Sequence, residues 1–287
     1  MAPPNPLVSE VLHTDQSLRT TILSCLDPLG GLTNFINPRD HVLVKPNFNT
    51  GDPFPASTDL GFFITILMLL KKITSDVTVI ESSTLQVDTR KLITSRMNGK
   101  LEELDIPLIT EKDYIYEKLD LKSMGAKYMK SVKLPRQILD PNSRIILLPC
   151  CKTHFIGQFT GALKLAVGLM ERKQRIRMHM SFRVPEKVAD LNLGYSPHLC
   201  IMDARKVFVT GGPGNGRKEE PQRILASSNR VALDIHGIKI IQKYNAKNHL
   251  TGKSPEEVRQ IARAIRLDID GSALFAADAF TKTAIPA

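Results

Sequence analysis

The residues of this chain best suited to chemistry cluster between positions 149 and 168. Pro149-Cys150-Cys151-Lys152-Thr153-His154 is followed by Thr160-Gly161, Lys164 and Gly168. Two thiols, two amines and an imidazole suit metals, anions and proton transfer, and a turn needs none of them. The segment follows Arg144-Ile145-Ile146-Leu147-Leu148, which reads as a buried strand. Working groups of α/β proteins gather just past the carboxyl ends of such strands. Lys152 and His154 are therefore expected to be catalytic, with His154 as general acid/base. Lys164, one turn inside the following helix, would point back toward that helix's N-terminus. An anion held there by Lys152, Thr153, His154 and Thr160-Gly161 is the chemistry this spacing suits.

Two other strand ends carry polar groups. Asp40 to Val44 reads as a central strand closed by Lys45-Pro46-Asn47, since Pro cannot extend a ladder. The Lys45 amine and Asn47 amide could converge on a ligand, or serve as a snorkelling Lys and a turn-capping Asn. Val77 to Ile80 ends at Glu81, a carboxylate able to hold a metal, act as a base or cap the next helix. Arg172, Arg175 and His179 follow one another at helical-turn spacing. They read equally well as an anion clamp or as a solvated face. Gly211, Gly212, Gly214 and Gly216 could wrap backbone amides around an anion. The alternative is a loose turn, for the stretch fits neither a P-loop nor a dinucleotide fingerprint.

Metal ligation is expected, if anywhere, at Asp203, Cys150 and Cys151. A variant adds Cys200 and His154 to hold iron or zinc. Adjacent side chains on extended backbone face opposite ways, which argues against one ion between Cys150 and Cys151. Cysteine is commonly buried, and no C-x-x-C pair occurs, so an iron–sulfur cluster is less favoured than a divalent metal.

The elements that must position these groups alternate along the chain. Strands are expected at 40–44, 77–80, 106–109, 144–148, 199–202, 207–210 and 223–226. Helices are expected at 60–70, 88–104, 161–170, 231–244 and 255–265. This pattern predicts an α/β protein with a largely parallel sheet and helices on both faces. Residues 112–139 read as hairpin strands or a small insertion. With 287 residues, 42% of them hydrophobic, residues 1–270 can form one domain, followed by a loosely held tail over 271–287. Thirty-nine basic against 29 acidic residues give a net charge of +10, which favours anionic partners. With no Trp and 6% aromatic residues, base stacking and nucleic acid are disfavoured. Four cysteines form no disulfide framework at this length, and the chain opens without a basic-then-apolar leader. The apolar run Leu60–Leu70 is too short to span a bilayer. A cytoplasmic protein without membrane contact is expected, and oligomerisation stays open.

The order of motifs resembles a known family. Val44-Lys45-Pro46-Asn47, Thr58-Asp59, Lys152-Thr153-His154, Thr160-Gly161, Lys164, Gly168, Arg175 and His179 follow its pattern. Asp203, Gly211-Gly212-Pro213, Gly216, Ala226-Ser227 and Asp234 continue it. Over roughly residues 40–240 the chain resembles domain-of-unknown-function family 362, some of whose members are fused to ferredoxin-like iron–sulfur modules. The resemblance implies site positions and little mechanism. Cys150-Cys151 stands where similar proteins commonly read Pro-Lys, and no ferredoxin-type cysteine cluster is present.

The leading expectation is an enzyme for a small carboxylated or phosphorylated anion. Lys45, Asn47, Lys152 and Lys164 would bind it under the Gly211–Gly216 loop, while Glu81 or Asp203 would orient His154 or hold a divalent metal. A metal or iron–sulfur redox protein and a nucleic-acid binder using the Arg172–Arg177 surface are the alternatives.

Overall fold

The computed structural model describes residues 8–84, 87–275 and 283–284, so the expected tail over 271–287 lies largely outside the described residues. Thirteen strands occur among them. Those before residue 140 are β1 Val8–Leu12, β2 His41–Lys45, β3 Val77–Ile80, β4 Leu108–Ile109, β5 Tyr116–Asp120 and β6 Ser131–Pro135. Those after it are β7 Ser143–Leu147, β8 Cys150–His154, β9 Gln158–Thr160, β10 Leu199–Phe208, β11 Lys218–Glu219, β12 Arg223–Ser227 and β13 Thr283–Ala284. The large sheet runs β13-β1-β12-β10-β7-β2-β3-β4. From β10 to β4 every neighbouring pair is parallel, and β12 lies antiparallel between β10 and β1. The mixed α/β fold with a mostly parallel sheet is the architecture the strand–helix alternation predicts.

The helices are α1 Leu18–Leu26, α2 Leu60–Lys71, α3 Thr89–Met97, α4 Lys100–Glu103, α5 Arg136–Leu139, α6 Ala162–Leu165, α7 Arg172–His179, α8 Val184–Leu191, α9 Arg230–Gln242 and α10 Arg259–Arg266. They cover both faces of the sheet. Val42, Val44, Val77, Val79 and Ile146 pack with Ile22 of α1, Phe62, Phe63 and Ile66 of α2 and Ile93 of α3. The alternate residues Leu43, Ile145 and Leu147 pack instead with α6, α8, α9 and α10. This is the period-two alternation of a strand buried on both sides. Local signals fix the helix starts: Asp59 accepts from Phe62 N at 2.9 Å, and Asn229 accepts from Ala232 N at 2.8 Å.

Several elements depart from expectation. Residues 88–104 form two helices because Asn98 and Gly99 take left-handed backbone between them. Residues 112–139 contain the antiparallel hairpin β5–β6, a separate two-stranded sheet whose Val132 and Leu134 join the second core. The expected strands 199–202 and 207–210 are one strand, β10, with a register shift between Asp203 and Phe208. Cys150–His154 is itself a strand, paired parallel to β10 and antiparallel to β9, rather than a loop beyond β7. Residues 161–170 are a single α turn, α6, running into a 3-10 turn over Ala166–Leu169.

Candidate functional site

The carboxyl ends of β2 and β3 are adjacent, which brings Lys45 and Glu81 together. The Lys45 amine donates to one Glu81 oxygen and, at 2.8 Å, to the Pro46 carbonyl. The other Glu81 oxygen accepts from Phe48 N at 2.9 Å, and Ser82 N donates to the first at 2.8 Å. Glu81 thereby ties both strand ends into one buried knot. Desolvation still pulls Lys45 below its ordinary value, against the pull of Glu81. Gly168 admits this pair: a Cβ there would lie 3.1 Å from the Lys45 Nζ.

Beside the knot opens a cavity of about 410 Å3, within the usual size range of a small-ligand pocket. Its polar wall includes Lys45, Asn47, Thr160, Lys164, Arg175 and His179, with Arg172 at the rim. Leu165, Val167, Ile176 and Met180 supply apolar surface. Helix α7 carries Arg175 and His179 on one side, one turn apart. The Arg175 guanidinium donates to the Ser83 carbonyl, which fixes α7 against the end of β3. His179 Nδ1 lies 2.9 Å from the Arg175 carbonyl, an acceptor, so Nδ1 carries the proton and Nε2 is bare. Burial lowers the pKa of His179, and Lys164 nearby lowers it further.

Lys164 differs from the other lysines of this region. It is 9% exposed, and its amine has no hydrogen-bond or ion-pair partner among the described residues. Burial, followed by the nearby Lys152 charge, brings its pKa from 10.5 to about 7. Three further cavity groups have no partner among the described residues: Asn47 Nδ2, Asn49 Oδ1 and Thr160 Oγ1. Buried polar groups are normally satisfied, so these three, beside the Lys164 amine, set the cavity apart from the self-satisfied polar groups around it.

Other residues expected in the site lie elsewhere. Lys152 is fully buried, and its amine donates to the Ala56 and Pro213 carbonyls, pinning two loops onto β8. Burial lowers its pKa to about 8. Thr153 donates to the Phe208 carbonyl across the sheet. His154 Nδ1 accepts from Ile156 N at 3.1 Å and Gly157 N at 3.0 Å, and burial strongly favours its neutral form. Its Nδ1 is thus already used by backbone, and its ring is not among the cavity-lining groups. The N-terminus of α6 is not open to an anion, because Asp234 accepts from Ala162 N at 2.6 Å and Leu163 N at 3.1 Å. Burial raises this carboxyl to about 7.

The glycine loop folds back on itself rather than over the cavity. Gly212 N donates to Asn215 O at 2.6 Å, and Gly212 backs so closely onto the Thr153 carbonyl that any Cβ would collide with it. Gly216 meets the Thr210 carbonyl in the same way, Gly211 closes on the Asn215 backbone, and Gly214 lies beside Asp52. None of the four lines the cavity.

Of the expected metal ligands, Asp203 and Cys150 lie opposite one another on β10 and β8, and no third ligand joins them among the described residues. Asp203 is taken up by Arg205, with contacts of 3.0 and 2.7 Å, and that arginine also reaches Asp59. The Cys151 thiol donates to the Gly237 carbonyl at 3.4 Å. Burial pushes the Cys150 thiol up to about 11 and raises that of Cys151 well above its ordinary value. Among the described residues no group of three or more His, Cys, Asp or Glu is arranged around a metal site.

The sequence reading passed over Asn49, Ser82 and Thr84, which line the cavity, and the apolar Ile176 and Met180. Asn49 had a signal, being two residues beyond Asn47 on the same strand-end loop. Ile176 and Met180 had one in their spacing from Arg172 and Arg175 on α7.

Fold and site together define a mixed α/β protein with a basic, partly apolar cavity at the carboxyl ends of neighbouring parallel strands. The chain belongs to the family described as domain of unknown function DUF362, whose model matches residues 42–239. Every cavity residue falls within that stretch. The chain is 26% identical over 235 residues to a thylakoid-associated protein of Synechocystis, covering 79% of this chain and 70% of that protein. It is also similar to a solved Thermotoga maritima protein at 11% identity and a TM-score of 0.47, covering 81% of this chain and 59% of that one. Among the described residues no helix is long and apolar enough to cross a membrane.

Proposed function

We propose that the protein is an enzyme for a small organic anion, carboxylated or phosphorylated, bound in the cavity between the ends of β2 and β3 and helix α7. One observation carries this reading: the buried Lys164 amine has no partner and shares its cavity with the unsatisfied Asn47 amide and Thr160 hydroxyl. Leaving such groups dry costs about 1–3 kcal/mol each, a cost that an anionic ligand removes. Arg172 and Arg175 supply charge, while Lys164, Asn47 and Thr160 supply directional hydrogen bonds. The bare His179 Nε2 favours an enzyme over a passive carrier, because it is a base facing the bound molecule. His179 thus takes the acid/base role first assigned to His154. The proposal routes no step through a metal, since both Glu81 oxygens are engaged by protein donors.

The disposition of α7 supports a small ligand over nucleic acid. Arg175 and His179 turn into the cavity and Arg172 stands at its rim, so Lys173 and Arg177 are the basic residues of the helix that take no part in lining it. A cytoplasmic setting belongs to the same proposal, supported by four free, buried thiols that a reducing compartment preserves.

The test is thermal unfolding and titration calorimetry with inorganic phosphate, succinate and lactate. At least one should bind the wild-type chain and raise its melting temperature, and Lys164→Gln should lose that effect. Equal binding by Lys164→Gln, or none of the three binding the wild type, would overturn the reading.

A further inference from the structure

We propose that Lys164 is a nucleophile that forms an imine with the carbonyl carbon of a 2-oxo carboxylate. This rests on the preceding reading that the cavity holds a small organic anion, and it adds the substrate class and the covalent step.

The three lysines of the region are distinguished by what their amines touch. Lys45 is held by Glu81 and the Pro46 carbonyl, and Lys152 by the Ala56 and Pro213 carbonyls. A lone pair on either would face protein. Lys164 alone of the three faces the cavity without a partner. Its stem is confined by the turn between β8 and β9, where a Cβ on Gly157 would lie 2.8 Å from its Cε. The amine is therefore held in place although nothing binds it. Leu165, Val167 and Ile176 give the cavity apolar surface, with the exposed Met180 at its mouth.

Desolvation beside another cation is the usual way a protein makes a lysine nucleophilic. Here burial and the nearby Lys152 charge bring the amine's pKa down to about 7, which favours its neutral form far more than in an ordinary lysine. Such a group is a poor fixed charge for holding an anion, and Arg172 and Arg175 already fill that role without losing their protons. What the neutral amine offers instead is its lone pair.

In the step itself the Nζ lone pair attacks the carbonyl carbon, and the carbonyl π pair moves to oxygen. One amine proton passes to that oxygen and gives a carbinolamine. The hydroxyl takes up a proton from a cavity group and leaves as water while nitrogen's pair closes the C=N bond, and the iminium so formed returns its remaining N–H proton to that group, leaving the imine. The net reaction is amine plus ketone giving imine plus water. His179 Nε2 and the unsatisfied Thr160 hydroxyl are the cavity groups able to pass these protons. The substrate carboxylate is assigned to Arg175 and Arg172, with the free Asn47 amide as a further donor.

The experiment is reductive trapping on the full chain. Glyoxylate, pyruvate and 2-oxoglutarate are each added with sodium cyanoborohydride, which reduces an imine to a stable secondary amine, and the adduct is located by peptide mass mapping. The expected result is a single adduct on Lys164 with at least one probe, and its loss in a folded Lys164→Gln protein. Mapping on the wild-type chain decides the matter even if that variant does not fold. An adduct spread over surface lysines, or none on Lys164 with any probe, overturns the imine. Calorimetry with lactate, succinate and phosphate separates the two readings. If any of them binds without trapping of an oxo acid, only the imine fails; if none binds and nothing is trapped, the anion cavity fails with it.

Discussion

Replacing Lys164 with Met should stabilise the protein, by an amount that depends on pH. In the folded chain the amine has no partner among the described residues, and burial, with Lys152 nearby, brings its pKa from 10.5 to about 7. In the unfolded chain it titrates as an ordinary lysine. A difference of one pH unit in pKa is worth about 1.36 kcal/mol. The full displacement thus sets an upper bound of roughly 4–5 kcal/mol on the cost of housing this amine below pH 7. Between pH 7 and 10.5 the unfolded state binds a proton that the folded state has released, so wild-type stability rises with pH across that window. The cost is complete below the folded value and gone above the unfolded one. Urea denaturation should therefore find Lys164→Met more stable by a few kcal/mol at about pH 6, with the gap shrinking by roughly 1.4 kcal/mol per pH unit toward pH 10. Lys45, Glu81, Lys152, His154, Arg172, Arg175 and His179 also face this region. Lys164 adds to the lowering of His154 and His179, but burial comes first for both rings and keeps them neutral above pH 7 with or without it, so the slope between pH 7 and 10 reads Lys164 itself. A gap that stayed constant with pH, or a wild type more stable at pH 6, would show that the amine is solvated or paired and would refute the reasoning.

Two further perturbations probe the scaffold. Glu81→Gln strips the buried Lys45 of its counter-charge and should cost about 3–5 kcal/mol in urea denaturation; Lys45→Met in the same chain should recover much of that loss, and strictly additive effects would contradict the pairing. Gly161→Ala would drive a Cβ into the Asp234 carboxyl and should cost about 2–4 kcal/mol, whereas Gly51→Ala, in open space, should stay within about 0.5 kcal/mol. Equal melting temperatures for the two glycine variants would count against the Asp234 cap.

The parts of the site that were legible in the sequence are those written in local pattern. Runs such as His41–Val44 and Val77–Ile80 announce buried parallel strands, so Lys45 and Glu81 stand out as polar groups at their ends. Turn-by-turn spacing placed Arg172, Arg175 and His179 on one helical face and Lys164 one turn into its helix. What failed depended on distant residues. Cys150–His154 looks like a loop because Pro149 precedes it and Lys and His are weak strand formers; pairing with β10 and β9 makes it a strand and carries Lys152 into the core. The N-terminus of α6 looks open until Asp234, 72 residues further on, takes its amides. Asp203 looks like a strand end because charge usually stops a buried strand. Arg205, two residues on, neutralises it and lets β10 run through.

The glycine loop shows why Lys152 is engaged by protein while Lys164 is not. Glycines that wrap a ligand and glycines that let two backbones touch leave the same trace in a sequence. Here Gly212 presses on the Thr153 carbonyl, and Pro213 supplies the carbonyl that Lys152 holds. The loop and the Lys152-Thr153-His154 strand therefore satisfy each other, and neither needs a ligand. The Lys45–Glu81 knot is equally self-sufficient, and Arg175 already has Ser83. Around this cavity Lys45, Glu81 and Arg175 are fixed by protein, while among the described residues Asn47, Asn49 and Thr160 carry unsatisfied buried atoms and the Lys164 amine has no partner. A rigid frame enclosing a few unsatisfied groups is preorganised for binding, since the ordering entropy is met in folding rather than on association. That division of labour makes Lys164, not the more conspicuous Cys-Cys-Lys-Thr-His segment, the residue on which function should depend.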